Sequence, residues 1–108
     1  MNESNGIRVL RCLAQPDRLR IIQCLRGGPK NVGELANELG IAMVNISHHL
    51  RVLRLNAVVL DERRGQFIYY RLHSDVCRSA KKGEKHDALD LACCRVLMPV
   101  QAPLVSMA

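Results

Sequence analysis

The chain has very few aromatic residues: no tryptophan, one phenylalanine and two tyrosines among its 108 residues. Its core must therefore be built mainly from leucine, valine, isoleucine and alanine, a composition that suits helices packed on one another. This length allows one domain rather than two. The longest apolar stretch, residues 96–108, contains two prolines and is too short to span a membrane.

Signals for secretion and for catalysis are also missing. Residues 1–6 contain no basic region followed by an apolar run, so we expect no secretory signal and a cytoplasmic protein. The five cysteines would then be mostly reduced, and their odd number argues against a complete disulfide framework. The sequence has no glycine-rich phosphate loop, and Ser47 and His48 are neighbours that point in different directions from a helix. We therefore expect that the protein is not an enzyme.

Positive charge is in excess. Sixteen lysines and arginines stand against ten aspartates and glutamates, which gives a formal net charge of +6. A basic surface attracts polyanions such as nucleic acids. Charge alone does not separate this interpretation from a domain that is basic only for solubility.

The first half of the chain has the periodicity of four helices. The first is predicted over residues 7–14, with inner positions at Ile7, Leu10 and Ala14. The second begins at Pro16 and ends near residue 26, with inner positions at Leu19, Ile22 and Leu25. The third follows Asn31, whose spacing to Glu34 resembles a capping box, and ends at Gly40.

The fourth helix, residues 42–56, is the most informative. Its buried stripe is predicted to contain Met43, Ile46, Leu50 and Leu53. The opposite face carries groups that suit base edges and phosphates, namely Val44, Asn45, Ser47, His48 and Arg51. His49 lies beside the stripe and is predicted to be packed and hydrogen-bonded. Two helices joined by a tight glycine-containing turn predict a helix-turn-helix, with this helix reading DNA.

After residue 56 the period becomes that of strands. Residues 58–63 and 66–72 are predicted to form a hairpin that turns at Arg64 and Gly65 and rests on the helices. Arg63 and Arg64 at its tip are candidate DNA contacts. The predicted fold is therefore mainly α with a small β-hairpin wing, a winged helix-turn-helix. We assign residues 1–82 to this domain and residues 83–108 to a C-terminal extension, either a dimerisation element or an irregular tail. Further helices are predicted over residues 75–82 and 87–96.

The motifs together resemble the ArsR/SmtB family of transcriptional regulators. The resemblance covers about residues 9–76 and includes the segments at 13–21, 32–36, 47–53 (Ser-His-His-Leu-Arg-Val-Leu) and the wing at 64–72. It implies a homodimer that binds an operator with an imperfect inverted repeat and represses transcription until an inducer, often a metal ion, releases the DNA. It also implies dimer contacts through the first and last helices, here residues 5–14 and 74 onward.

The family's two familiar metal motifs are absent. No cysteine lies near residues 33–35, Ser74 and Val76 occupy the positions of two ligands on the last helix, and His86 is out of register. The sequence therefore does not predict which cofactor, if any, the protein binds. A soft metal or metalloid could still bind Cys93 and Cys94 with a third ligand such as Cys77, Cys12 or His86. Simple packing and a redox switch are the alternatives for these cysteines, and Cys24 is predicted to be partly exposed.

The sequence thus predicts a sequence-specific, DNA-binding transcriptional regulator, an ArsR-type homodimeric repressor. Two alternatives stay open. One is a winged helix that binds a protein, suggested by the apolar tail at residues 96–107. The other is a thiol-responsive regulator that senses no metal.

Overall fold

The computed structural model describes residues 3–74, 76–78, 86–91 and 94–99. Its helices are α1 (Glu3–Leu13), α2 (Pro16–Leu25), α3 (Val32–Leu39) and α4 (Met43–Leu55). Its strands are β1 (Lys30–Asn31), β2 (Val59–Arg64), β3 (Phe67–Leu72), β4 (Cys77–Arg78), β5 (His86–Leu91) and β6 (Cys94–Pro99). They form two antiparallel sheets with strand orders β1-β3-β2 and β4-β5-β6. No helix in the described part of the chain is long and apolar enough to cross a membrane.

The core joins the three central helices to the base of the hairpin. Its fully buried side chains include Ile21, Ile22, Leu35, Ile46, Leu50, Leu53, Val58 and Val59. Burying each such side chain stabilises the fold by about 1.5–3 kcal/mol. The third helix was predicted from the spacing of Val32, Leu35, Ala36 and Leu39, of which Leu35 and Leu39 are buried and the other two are partly buried. The predicted stripe of α4 is confirmed from Ile46 onward, because Ile46, Leu50 and Leu53 are all buried.

The predicted inner face of α1 is wrong. Val9 and Cys12 are buried, whereas Ile7 and Leu10 are 45% and 42% exposed and Ala14 is exposed. Apolar residues lie on two sides of this helix, so periodicity alone does not choose the side that faces the core. The outer apolar side of α1 is left on the surface.

In α2, sequence reasoning placed the ends correctly and one side chain incorrectly. Gln15 is the N-cap, its side-chain oxygen accepting a hydrogen bond from the Arg18 N–H at 2.8 Å, and Pro16 starts the helix. Leu19 is only partly buried, whereas Cys24 is fully buried. Cys24 faces α3, where its thiol donates a hydrogen bond to Glu38 Oε2 at 2.7 Å. The expected partial exposure of Cys24 is therefore wrong, because α2 is covered on more than one side.

The helix-turn-helix has the termini that the sequence predicts. Asn31 and Glu34 form a reciprocal capping box: the Glu34 N–H donates to Asn31 Oδ1 at 2.8 Å and the Asn31 N–H to Glu34 Oε1 at 3.1 Å. Gly40 ends α3 with φ of +66°, a left-handed conformation that glycine adopts without strain. Only Ile41 and Ala42 separate Gly40 from Met43, the first residue of α4.

The hairpin wing is confirmed, with its turn one residue later than predicted. β2 continues to Arg64, and the turn is at Gly65 and Gln66, with Gly65 at φ of +63°. The two-residue β1, too short for a sequence pattern to reveal, pairs Lys30 with Tyr70 and Asn31 with Tyr69. This pairing fixes the hairpin to the start of α3.

The predicted C-terminal helices are wrong for the described residues. Segments within 75–82 and 87–96 instead belong to β4, β5 and β6. Six successive residue pairs, from His86 with Pro99 to Leu91 with Cys94, join β5 and β6. Pro99 ends an edge strand, a position that tolerates its missing N–H. α1 lies against β5, so this second sheet borders the first helix.

Candidate DNA-binding surface

One side of α4 packs in the core and the other faces solvent. Ile46, Leu50 and Leu53 are fully buried. All five residues predicted to read DNA are exposed: Val44, Asn45, Ser47, His48 and Arg51. The fold thus presents one apolar, two small polar, one imidazole and one guanidinium group on one helix surface. This combination can contact thymine methyls, base edges and phosphates.

Met43 belongs to this exposed surface and not to the core. It is 57% exposed, next to Val44 at 75%. The prediction that placed Met43 in the buried stripe is wrong, because it is the first residue of α4 and precedes the part of the helix that packs in the core. Its position in the first turn after Gly40 was the available signal in the sequence.

The N-terminus of α4 is open and carries no negative charge. Ala42 is the N-cap, no side chain caps the helix, and its first turn has no acidic residue. The positive end of the helix dipole is therefore not neutralised by the helix itself. In a recognition helix this end suits contact with DNA.

The side chain of His49, a residue of α4, faces α2. Its side chain is only 13% exposed, and its Nε2 is 3.9 Å from Asp17 Oδ2. Its Nδ1 is buried without a hydrogen-bond partner among the described residues. Burial and the nearby Arg18 charge lower the His49 pKa, although Asp17 acts in the opposite direction. The prediction of a packed histidine is confirmed, whereas the predicted hydrogen bonding is not found at Nδ1.

The wing arginines are exposed but held by local contacts. Arg63 Nε donates to the Gly65 carbonyl at 3.2 Å. Arg64 Nη2 donates to Glu62 Oε2 at 3.3 Å, and the Arg64 guanidinium lies 5.0 Å from the Tyr69 ring centroid. These contacts limit the conformations of two cations at the wing tip. Such restraint reduces the entropy lost when a phosphate binds them.

The two cysteines in the helical core are poor metal ligands. Cys12 and Cys24 are both buried and free. Burial raises the pKa of Cys12, and burial together with the Glu38 hydrogen bond raises the pKa of Cys24 to about 12. A metal binds the thiolate, which both sites disfavour.

The candidate metal ligands at the C-terminus are only partly within the described structure. Cys77 lies in β4 opposite Leu89, and Cys94 lies in β6 opposite Leu91. β5 lies between these two strands, so the sheet does not make the two cysteines neighbours. Cys93 lies outside the described residues. Within the described ranges, no group of three His, Cys, Asp or Glu residues could hold a metal ion.

Comparison with known proteins agrees with this geometry. A family model for a helix-turn-helix domain matches residues 13–63. The transcriptional repressor SdpR of Bacillus subtilis (strain 168) is 38% identical over 72 residues, which cover 67% of this chain and 80% of SdpR. NmtR of Mycobacterium tuberculosis, an HTH-type transcriptional regulator, is 44% identical over 64 residues. That match covers 59% of this chain and 53% of NmtR, so the chain spans about half the length of this relative.

A solved structure extends the likeness to three dimensions. It is the homodimeric winged helix-turn-helix DNA-binding domain of Mb0332 from Mycobacterium bovis, described as a possible ArsR-family transcriptional regulator. It matches with a TM-score of 0.62 and 30% identity, over 66% of each chain. On the combined grounds of fold, exposed helix surface and relatives, the chain belongs to the ArsR/SmtB family of winged helix-turn-helix transcriptional regulators.

Proposed function

We propose that this protein is a homodimeric transcriptional repressor that binds an operator with an inverted repeat. The observation that supports this proposal is the surface of α4. Five residues whose side chains suit contact with DNA are exposed there, beside a fully buried apolar stripe. Residues 1–82 form the DNA-binding unit of this proposal. Its predicted DNA contacts are Val44, Asn45, Ser47, His48 and Arg51 on α4, and Arg63 and Arg64 on the wing.

The outer side of α1 supports dimerisation. Ile7 and Leu10 are exposed at helical spacing, and α1 lies beside β5. We assign the dimer contact to this helix and the neighbouring C-terminal sheet, in place of a last helix. The M. bovis domain of similar fold is itself described as homodimeric. Two α4 helices related by a dyad would meet half-sites about 34 Å apart, one turn of DNA.

An inducer would release the DNA by binding more tightly to a dimer geometry that does not match the operator. Such coupling is typically about 1–3 kcal/mol. Cys93, Cys94 and Cys77 remain the candidate ligands for a soft metal or metalloid, with Cys77 coming from the second subunit because β5 separates β4 from β6 within one chain. Cys93→Ser combined with Cys94→Ser would abolish a response to Zn(II) or As(III) and leave DNA affinity unchanged.

The salt dependence of binding tests this function against the protein-binding alternative. Promoter DNA should bind tightly at low salt, and log K should fall linearly with log salt, with a slope of about −0.9 per phosphate contacted. The control is a shuffled duplex of equal length. Binding that barely responds to salt, or that does not distinguish promoter from shuffled DNA, would contradict a sequence-specific repressor.

A further inference from the structure

The N-terminal half of α2 contacts the helix-turn-helix at the junction of its two helices. Arg20 Nη2 donates a hydrogen bond to the carbonyl of Leu39 at 2.8 Å. Leu39 is the last residue of α3 and directly precedes Gly40. The last carbonyls of a helix lack partners within that helix, so Arg20 supplies a partner from another element.

Asp17 connects the same half of α2 to α4. One carboxylate oxygen, Oδ1, is 3.6 Å from Arg20 Nη1, and the other, Oδ2, is 3.9 Å from His49 Nε2. Asp17 therefore lies between a side chain that holds the end of α3 and one that belongs to α4. We call the set of Asp17, Arg20 and His49 the α2 bridge.

The α2 bridge is separate from the packing that holds the helices together. Leu35, Ile46 and Leu50 already join α3 and α4 to the core with no solvent exposure. The Arg20 and Asp17 side chains are 48% and 37% exposed, so shortening either one opens no internal cavity. Their contacts can fix the angle between α3 and α4 without being required for folding.

Two buried polar atoms belong to the α2 bridge or to its neighbour Arg18. Arg18 Nε and His49 Nδ1 are both buried without hydrogen-bond partners among the described residues. A displacement of α4 would leave His49 without its carboxylate neighbour as well. The contact between Asp17 and His49 therefore favours the observed position of α4 relative to α2.

We propose that Arg20 and Asp17 are positioning residues for DNA recognition, which set the angle of α4 through Leu39 and His49. This inference rests on the proposed function. Neither residue is among the predicted DNA contacts. Their loss should reduce the preference for the correct operator more than it reduces general attraction to DNA.

The test compares Arg20→Lys with wild-type protein. Lysine keeps the positive charge but not the planar fork that reaches both Asp17 and the Leu39 carbonyl. A duplex is first selected from a random pool with the wild-type protein, and affinities are then measured for it and for a shuffled duplex. We expect the ratio of the two affinities to fall about tenfold, the size expected for loss of one charge-assisted hydrogen bond. The salt slope should stay unchanged, because the phosphate contacts remain.

Two further variants separate the possible explanations. Arg71→Lys, at an exposed arginine of β3 outside the bridge, should keep the wild-type ratio. Asp17→Asn should also lower the ratio of the affinities for the selected and the shuffled duplex, as Arg20→Lys does. If Arg20→Lys melts at a lower temperature but keeps the wild-type ratio, the bridge is structural only and the proposal is wrong. If wild-type protein selects no duplex, the proposed function itself fails, a result distinct from failure of the bridge.

Discussion

At the scale of single residues, the position of an apolar residue along the helix, and not its hydrophobicity, decides whether its side chain is buried. Met43 and Leu50 are both large apolar residues of α4, yet Met43 is 57% exposed and Leu50 is fully buried. Their spacing fits one stripe, so periodicity alone could not separate them. The difference arises because the core reaches α4 only from Ile46 onward.

The two residues should respond differently to truncation. Leu50→Ala should lower the free energy of unfolding by about 2–5 kcal/mol, because it removes buried contacts and leaves a cavity. Met43→Ala should change it by less than about 0.5 kcal/mol, the usual range for a surface substitution. Urea denaturation of both variants gives the comparison. Equal losses would mean that Met43 is buried after all.

His49 should make stability depend on pH. Burial and Arg18 lower its pKa in the folded state, so the unfolded chain binds the proton more readily. Stability from this residue is therefore complete above the ordinary histidine pKa of about 6.5 and is lost as the pH falls below that value. The midpoint of denaturation should decrease on acidification in that window, and His49→Gln should weaken the decrease. An unchanged pH profile in the variant would contradict this assignment.

At the scale of elements, the sequence patterns predicted the caps and turns well, because these features depend on short-range interactions. The Asn31–Glu34 capping box, the left-handed Gly40 and the glycine turn of the wing depend on residues close in sequence. The exposure of the candidate residues of α4 was likewise predicted correctly. The helical spacing of the apolar residues marks the buried side of α4, and the candidate residues lie on the opposite side. Their role in binding DNA stays a prediction.

Features that depend on distant partners were not predictable in the same way. Cys24 is buried because α3 covers it, and the inner side of α1 depends on α2 and the C-terminal sheet. The strands β5 and β6 form by pairing with each other, since six residue pairs join them. Single-helix periodicity carries none of this information.

The capping box offers a direct test at this scale. Asn31→Ala should lower the free energy of unfolding by about 1 kcal/mol, because the Glu34 N–H at the start of α3 loses its acceptor. Asn31→Asp should retain most of the stability, since a carboxylate accepts the same bond and suits the helix N-terminus. Thermal unfolding of the pair gives the comparison. Equal destabilisation by both substitutions would contradict the capping role.

At the scale of the whole molecule, binding to an inverted repeat requires two copies of the chain. The outer side of α1 carries exposed Ile7 and Leu10, which a second copy would cover. Leu10→Asp should shift the protein toward monomer, because a buried unpaired carboxylate is costly. Arg8→Asp, at an exposed residue of the same helix, is the control for charge: it makes α1 more negative by two units, against one for Leu10→Asp, and should leave the protein dimeric.

Sedimentation equilibrium measures the shift of the Leu10→Asp protein toward monomer, and DNA titration measures its effect on binding. The Leu10→Asp protein should also lose affinity for a two-half-site duplex, because one α4 contacts only one half-site. A Leu10→Asp protein that remains dimeric would show that this surface of α1 does not form the dimer contact.

The most direct test of the central claim is a DNA titration with substitutions on the exposed side of α4. A duplex selected by wild-type protein should be bound more weakly by His48→Ala and by Arg51→Ala, by about 1–3 kcal/mol for each base-contacting side chain lost. Both variants should unfold at the wild-type temperature, since both side chains are exposed. If both variants keep wild-type affinity for that duplex, α4 does not read DNA through this surface, and the account is wrong.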